Sequence, residues 1–229
     1  MCDCLVALGP HTASGATLFA KNSDRPSAEV QRVLVEPARQ DRGPLRCTYV
    51  DVDPHPVPTH GFAAIQPTWM WGVEGGVNEV GVAIGNEMIF TTLDPRPFPP
   101  ALTGMDLVRL GLERAATAHD AVDVITTLLE RHGQGGGGHP GGAKPYWSSF
   151  LIADPLRAYV LETSGPTWEV EEVSATRTIS NRTTIERFDR EHRNPRQPVE
   201  TMVDPRLAAS RALLQYQPVT RAAIEQHLR

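Results

Sequence analysis

The sequence predicts an α+β domain in which antiparallel strands build sheet and helices pack flat against it. Three observations predict this class. Short apolar or alternating runs, separated by Gly, Pro and Asn turns, recur up to Glu87 and again between Ser149 and Ile179. Between these blocks, residues 104–133 carry two successive apolar stripes at helical spacing, the signature of a helical hairpin laid on a flat surface. Asp154-Pro155 then joins two strand-like runs as a hairpin turn would.

Taken in order, residues 4–8 read as a buried strand, and Gly9-Pro10 turns the chain toward a second strand at residues 16–20. That strand delivers Lys21, Asn22, Ser23, Asp24 and Arg25 where the apolar pattern stops. Further strands are expected at residues 29–36, 46–52 and 61–65, with Cys47 a packing residue and the proline-rich 54–58 a loop. Glycines punctuate residues 72–85, letting backbone turn tightly or pass close to another group. Asn78-Glu79-Val80-Gly81 reads as a hairpin turn into a strand over residues 82–84, ending at Gly85-Asn86-Glu87. Asn86 at a strand end is either a turn cap or an amide donor for a developing oxyanion. Trp69 and Trp71 are either core or the aromatic wall of a substrate pocket.

The helices begin at Gly104 and behind the N-cap pattern Thr117-Ala118-His119-Asp120, the second ending at Gly133. The glycine-rich run 134–142 reads as a flexible surface loop, or as a lid, and lacks the Gly-Lys-Ser/Thr of a phosphate cradle. Strands are expected at 149–153, 158–162, 168–173 and 176–179, closed by Ser180-Asn181, a second asparagine at a strand end. Residues 185–200 are strongly charged and read as exposed. Asp204-Pro205 opens a helix ending near Gln217-Pro218, and Thr220 caps another that runs to Arg229.

The chemistry begins at Cys2. Methionine ahead of a small residue is commonly trimmed, and the chain would then open with a thiol and an α-amine on one residue. The amine titrates near neutrality and accepts a proton, and the thiol needs only modest help to ionise. One residue can therefore supply nucleophile and base. Cys2 and Cys4 can equally be small core residues of a first strand. The charged cluster at Lys21 and Asp24 favours the reactive reading, because a cation and a carboxylate there would tune thiol and amine.

Composition bounds the rest. With 229 residues, 40% hydrophobic and a formal charge of −5, the chain is long enough for a sizeable core. No basic patch points to nucleic acid, and no run approaches the length of a membrane span. Three cysteines do not make a disulfide scaffold, and the expected compartment is the cytoplasm.

The segments CDCLVALGP, FAKNSDRPSAEVQ, CTYVDVD, WMWGVEGGVNEVGVAIGNE, GMDLVRLGLERA, LLERHGQGG, SFLIAD, VLET and TISN are spread across the first 190 residues. In that order they resemble the secernins and, more distantly, the related bacterial cysteine dipeptidases, within the N-terminal nucleophile hydrolases. The resemblance implies one four-layer αββα domain over residues 1–229, with two stacked antiparallel sheets between helix layers. It places the nucleophile on Cys2 and a cation beside the thiol on Lys21, where many relatives carry arginine. It places the amine-orienting carboxylate on Asp24, the oxyanion amide on Asn86, and the asparagine beyond the reacting carbonyl on Asn181. The wider superfamily's late arginine has no evident counterpart. Ending inside a helix at Arg229, the chain is expected to be a shortened version or a fragment lacking its last strands.

The implied activity is a cysteine-type dipeptidase or small-amide hydrolase acting through a thioester, with no cofactor, no metal and no nucleic-acid or membrane partner. Homo-oligomer formation is left open. Two rivals share the fold: an acyltransferase of the penicillin-processing kind, and a silent secernin-like interaction protein. A third is a metal site of Cys2, Cys4 and Cys47, which lacks histidine partners at zinc spacing.

Overall fold

The computed structural model describes residues 2–40, 43–142 and 144–228. Twelve strands and six helices are assigned among them. The first strands are β1 (Asp3–Ala7), β2 (Leu18–Asn22), β3 (Gln31–Glu36), β4 (Leu45–Arg46) and β5 (Asp51–Val52). Next come β6 (Phe62–Pro67), β7 (Gly75–Asn78) and β8 (Ala83–Ile89). The helical hairpin is α1 (Gly104–Arg114) and α2 (Ala118–His132). It leads to β9 (Trp147–Ala153), β10 (Ala158–Ser164), β11 (Thr167–Val173) and β12 (Thr176–Ile179). The chain closes with α3 (Glu186–His192), α4 (Val199–Met202), α5 (Asp204–Gln215) and α6 (Arg221–His227).

Two antiparallel sheets form the middle, a three-stranded one in the order β12-β1-β2 and a seven-stranded one in the order β11-β10-β9-β8-β7-β6-β3. Three apolar clusters separate four layers, as expected. The α1–α2 hairpin covers one face of the large sheet through Leu107, Leu110, Ile125, Ile84, Phe150 and Leu161. Cys4 and Val6 meet Leu151, Val160, Ile179 and Phe188 between the sheets. Leu5 and Ala7, the alternate residues of β1, meet Leu214, Val219 and Ile224 of the C-terminal helices. Buried on both faces, β1 has to read as a continuous apolar run.

Local chemistry fixes the elements. Thr103 and Asp106 form a reciprocal capping box at the start of α1. Thr117 accepts from the Asp120 backbone N–H, and Thr220 from that of Ala223, as the sequence suggests. Several expectations need correction. β8 does not stop at Gly85 but runs to Ile89, because β9 pairs with it along its whole length. Residues 46–52 are not one strand but a turn between the two short strands β4 and β5. The 185–200 stretch is not simply exposed, since Ile185, Phe188 and Val199 are buried and anchor α3 and α4. The glycine-rich run is no loose surface loop either: Gln134, Gly135, Gly137 and Gly138 are buried. Tyr49 Oη donates to the Gly137 carbonyl and Arg25 to that of Gly138, tying the run down.

The loop after β12 is fastened from below. Glu162, buried on β10, accepts from Thr184 N (2.7 Å), Thr184 Oγ1 (2.9 Å) and Ile185 N (3.2 Å). Burial pushes its carboxyl from 4.5 up to about 7. A carboxyl that binds its proton more tightly folded than unfolded costs stability as pH rises through that interval. Urea denaturation should therefore show the unfolding free energy falling by roughly 1–3 kcal/mol between pH 4.5 and 7 on this account. Glu162→Gln should remove that part of the slope, and an unchanged slope would refute the assignment.

Candidate active site

Cys2 immediately precedes β1, where the two sheets open onto a pocket of about 580 Å³. The pocket brings together Cys2, Asp24, Asn86 and Asn181, which are far apart in sequence. The Cys2 nitrogen donates to Asn181 Oδ1 at 2.8 Å, and Asn181 Nδ2 donates to the Met88 carbonyl on β8 at 2.9 Å. Asn181 thus bridges the chain start to the large sheet. Met1, whose removal would turn the Cys2 nitrogen into an α-amine, lies outside the described residues.

Lys21 sits opposite Cys4 in the β1–β2 ladder. Its Nζ donates to the Asn86 carbonyl at 2.7 Å and to Glu87 Oε1 at 3.1 Å. A Cβ on Gly75 would lie 2.8 Å from the Lys21 Cδ, and one on Gly85 2.9 Å from it. These glycines face each other across β7 and β8, so Lys21 crosses a patch bare enough to admit its stem. The sequence expectation of a close approach at these glycines is met by this side chain.

The electrostatics at Cys2 differ from expectation. Burial pushes the thiol pKa up, and Lys21 pulls it down without prevailing. Glu87 and Glu74 add to the rise, while a hydrogen bond from the Asp24 backbone N–H to the sulfur opposes it. At rest Cys2 carries a protonated thiol. Burial, then Glu87, drives the Cys4 thiol up further still.

Asn86 lines the pocket and spends one amide hydrogen on Ser148 Oγ at 3.2 Å, itself held by Gln134 Nε2 at 2.7 Å. The same amide also faces the buried Tyr146 phenol, whose pKa burial pushes up and Asn86 draws back down. Gly104 at the start of α1 abuts the group, since a Cβ there would lie 2.3 Å from Asn86 Nδ2.

Trp69 and Trp71 are absent from the pocket lining, contrary to expectation. Trp69 donates to Glu29 at 3.1 Å, and Trp71 lies under the Arg109 guanidinium at 4.3 Å. The apolar lining comes instead from Met88, Phe90, Met105, Tyr146, Met202 and Val203. Cys4 packs between the sheets whereas Cys47 packs beneath the α1–α2 hairpin, so the three thiols do not converge. A larger groove of about 980 Å³ lies between β2 and the open face of β3, β6 and β7. It touches Lys21 and Glu74 but none of Cys2, Asp24, Asn86 or Asn181.

Other groups escaped the sequence reading. Arg25 forks onto Glu29 at 2.6 and 2.8 Å, reaches Glu74 at 3.3 Å, and lines the pocket beside His139 and Lys144. Arg206 of α5 donates to Asn181 Oδ1 at 3.1 Å and to Ser180 Oγ at 2.9 Å. Nothing in the helix sequence signals that role. Glu87 did carry a signal, since a carboxylate inside an apolar strand needs a partner.

No family model matches the sequence. Among solved structures the chain is similar to penicillin V acylase from Agrobacterium tumefaciens, with a TM-score of 0.58 and 14% identity. That match covers 99% of this chain and 71% of the other. It is also similar to a variant of conjugated bile acid hydrolase from Clostridium perfringens, with a TM-score of 0.54 and 12% identity. Here the match covers 83% of this chain and 56% of the other. At such identities the likeness establishes the fold, that of the N-terminal nucleophile hydrolases.

Lys21→Met removes the cation that opposes burial at the sulfur. The pH midpoint of Cys2 alkylation by iodoacetamide should rise by about one unit, slowing labelling about tenfold at neutral pH. A midpoint that stays in place would show that Lys21 does not act on the thiol.

Proposed function

We propose that this chain is a cysteine-type N-terminal nucleophile amidohydrolase that cleaves dipeptides or other small linear amides through a Cys2 thioester. The observation that carries the reading is the Cys2–Asn181 contact inside a pocket shared with Asp24 and Asn86. With Met1 removed, that contact would hold the α-amine beside its own thiol. The fold likeness to penicillin V acylase and the secernin-like motifs support the same class.

The reaction is as follows. The α-amine of Cys2 takes the thiol proton and the sulfur attacks the amide carbon. Asn86 donates its second amide hydrogen to the developing oxyanion, with a backbone N–H as the other donor. Collapse breaks the C–N bond, and the leaving amine takes the proton from the α-ammonium. Water, deprotonated by the same amine, then attacks the thioester, and the proton returns to sulfur as the acid leaves. Asp24 orients the amine. Asn181 and Arg206 fix its position.

The pocket's size falls in the range of small-molecule sites. Arg25 and Lys144 offer cations for the carboxylate of a peptide's leaving residue. Burial lowers the His139 pKa, so that ring stays neutral among them. The methionine- and phenylalanine-rich wall favours a second reading, an N-acyl amide with an apolar acyl group, whose thioester an amine could intercept as in the penicillin-processing acyltransferases.

Intact mass should show Met1 absent, and Cys2→Ala should abolish turnover of a dipeptide and N-acyl amide panel. Asn86→Ala should lower kcat by about a hundred- to a thousand-fold. Retained Met1 with no turnover would favour the interaction-protein alternative. Activity that survives Cys2→Ala would sink the mechanism.

A further inference from the structure

Behind Cys2 lies a buried cluster that the proposed reaction does not use. Glu87 Oε1 accepts from the Cys4 thiol at 2.9 Å and from the Lys21 ammonium at 3.1 Å. Its other oxygen, Oε2, is buried without a hydrogen-bond partner among the described residues. Lys21 is the cation that pulls the Cys2 thiol down, and Glu87 is the carboxylate that acts most strongly against it there. Among the described residues no second donor offsets the burial of Oε2, so the carboxylate depends strongly on the Lys21 ammonium.

We propose that Glu87 is a positioning residue for the Cys2 thiol, clamping the Lys21 ammonium in place and setting by its own charge how much of that cation's field reaches the sulfur. With Glu87 ionised, its charge cancels only part of the Lys21 field at Cys2, and the thiol keeps its proton. With Glu87 neutral, the Lys21 charge is uncompensated and the thiolate is favoured.

The surroundings give this pair its leverage. From β1 Glu87 faces Cys4, with Asp3 adding negative charge, and from β2 it faces Lys21. In its own sheet Ser149 lies opposite on β9, and Glu162 lies opposite Ser149 on β10. Glu74, next to β7, adds negative potential at Lys21 and Cys2. Burial works against the Lys21 ammonium, yet the Glu87 carboxylate holds its pKa well above the ordinary value, so Lys21 stays charged. Cys4 stays a thiol and donates throughout. Burial pushes Glu87 up to about 7, which leaves it the member of the cluster able to change charge near neutrality.

The inference rests on Cys2 as the reacting group, and its test is read without substrate. In Glu87→Gln the pH midpoint of Cys2 alkylation by iodoacetamide, followed by peptide mass, should fall by about one unit. Labelling at neutral pH should then accelerate about tenfold. In a Lys21→Met background the same substitution should produce no shift, because the carboxyl there is already neutral. An unchanged midpoint in folded Glu87→Gln overturns the proposal, and so does an equal shift in both backgrounds. If Glu87→Gln does not fold, the wild-type chain carries the test through the carbon-13 signal of the Glu87 carboxyl. That signal should titrate near neutrality with an inflection shared by the Cys2 alkylation rate, and a signal flat from about pH 5 to 9 overturns the proposal. A clear alkylation shift without amide cleavage would leave this inference standing and remove the hydrolase reading alone.

Discussion

The Lys21 ammonium ties the two sheets together just behind the pocket that holds Cys2. It leaves β2, crosses paired glycines of β7 and β8, and ends on the Asn86 carbonyl and the Glu87 carboxylate. A buried charge of this kind is tolerated only where every neighbour is arranged for it. Gly75 and Gly85 provide the room, and the Asn86 carbonyl provides a second, uncharged partner beside the Glu87 carboxylate. Those same requirements hold β8 against the chain start, so the oxyanion candidate and the nucleophile candidate reach one pocket together.

A second pin acts from the other side. Asn181 joins the Cys2 nitrogen to the Met88 carbonyl, and Arg206 and Gln197 hold Asn181 from the C-terminal helical region. Glu162 fastens the next residues, Thr184 and Ile185, to β10. The end of β12 is therefore constrained by elements from three layers. A chain start that would otherwise fray is held by side chains whose sequence positions are more than 170 residues away.

The pocket combines two kinds of surface. One wall is soft and apolar, built from Met88, Phe90, Met105 and Met202, and its rim carries Arg25 and Lys144. Methionine adapts to ligands of different shape, whereas the Arg25 fork is fixed by Glu29 and Glu74. Orientation at the reacting carbon would then come from the cationic rim and the Asn pair, and tolerance from the wall.

Much of the fold was legible in the residues. The apolar runs, the Thr117 and Thr220 caps and the Asp154-Pro155 hairpin report local preferences that packing did not override. Cys2, Lys21, Asp24, Asn86 and Asn181 were reached through motif resemblance, and four of them do line one pocket, with Lys21 set just behind it. Trp69 and Trp71 went astray because an aromatic ring packs equally well in a core or a cleft, and nothing local distinguishes the two. Arg206 belongs to tertiary structure alone, and Glu87 signalled in the sequence only that it needs a partner, not which one. Their partners lie on other strands and helices, and a charge acquires its meaning only from what stands within a few ångströms of it. Periodicity and turn chemistry thus determined the layers, being properties of neighbours along the chain. The state of the Cys2 sulfur was decided by burial and by opposing charges that folding brings together.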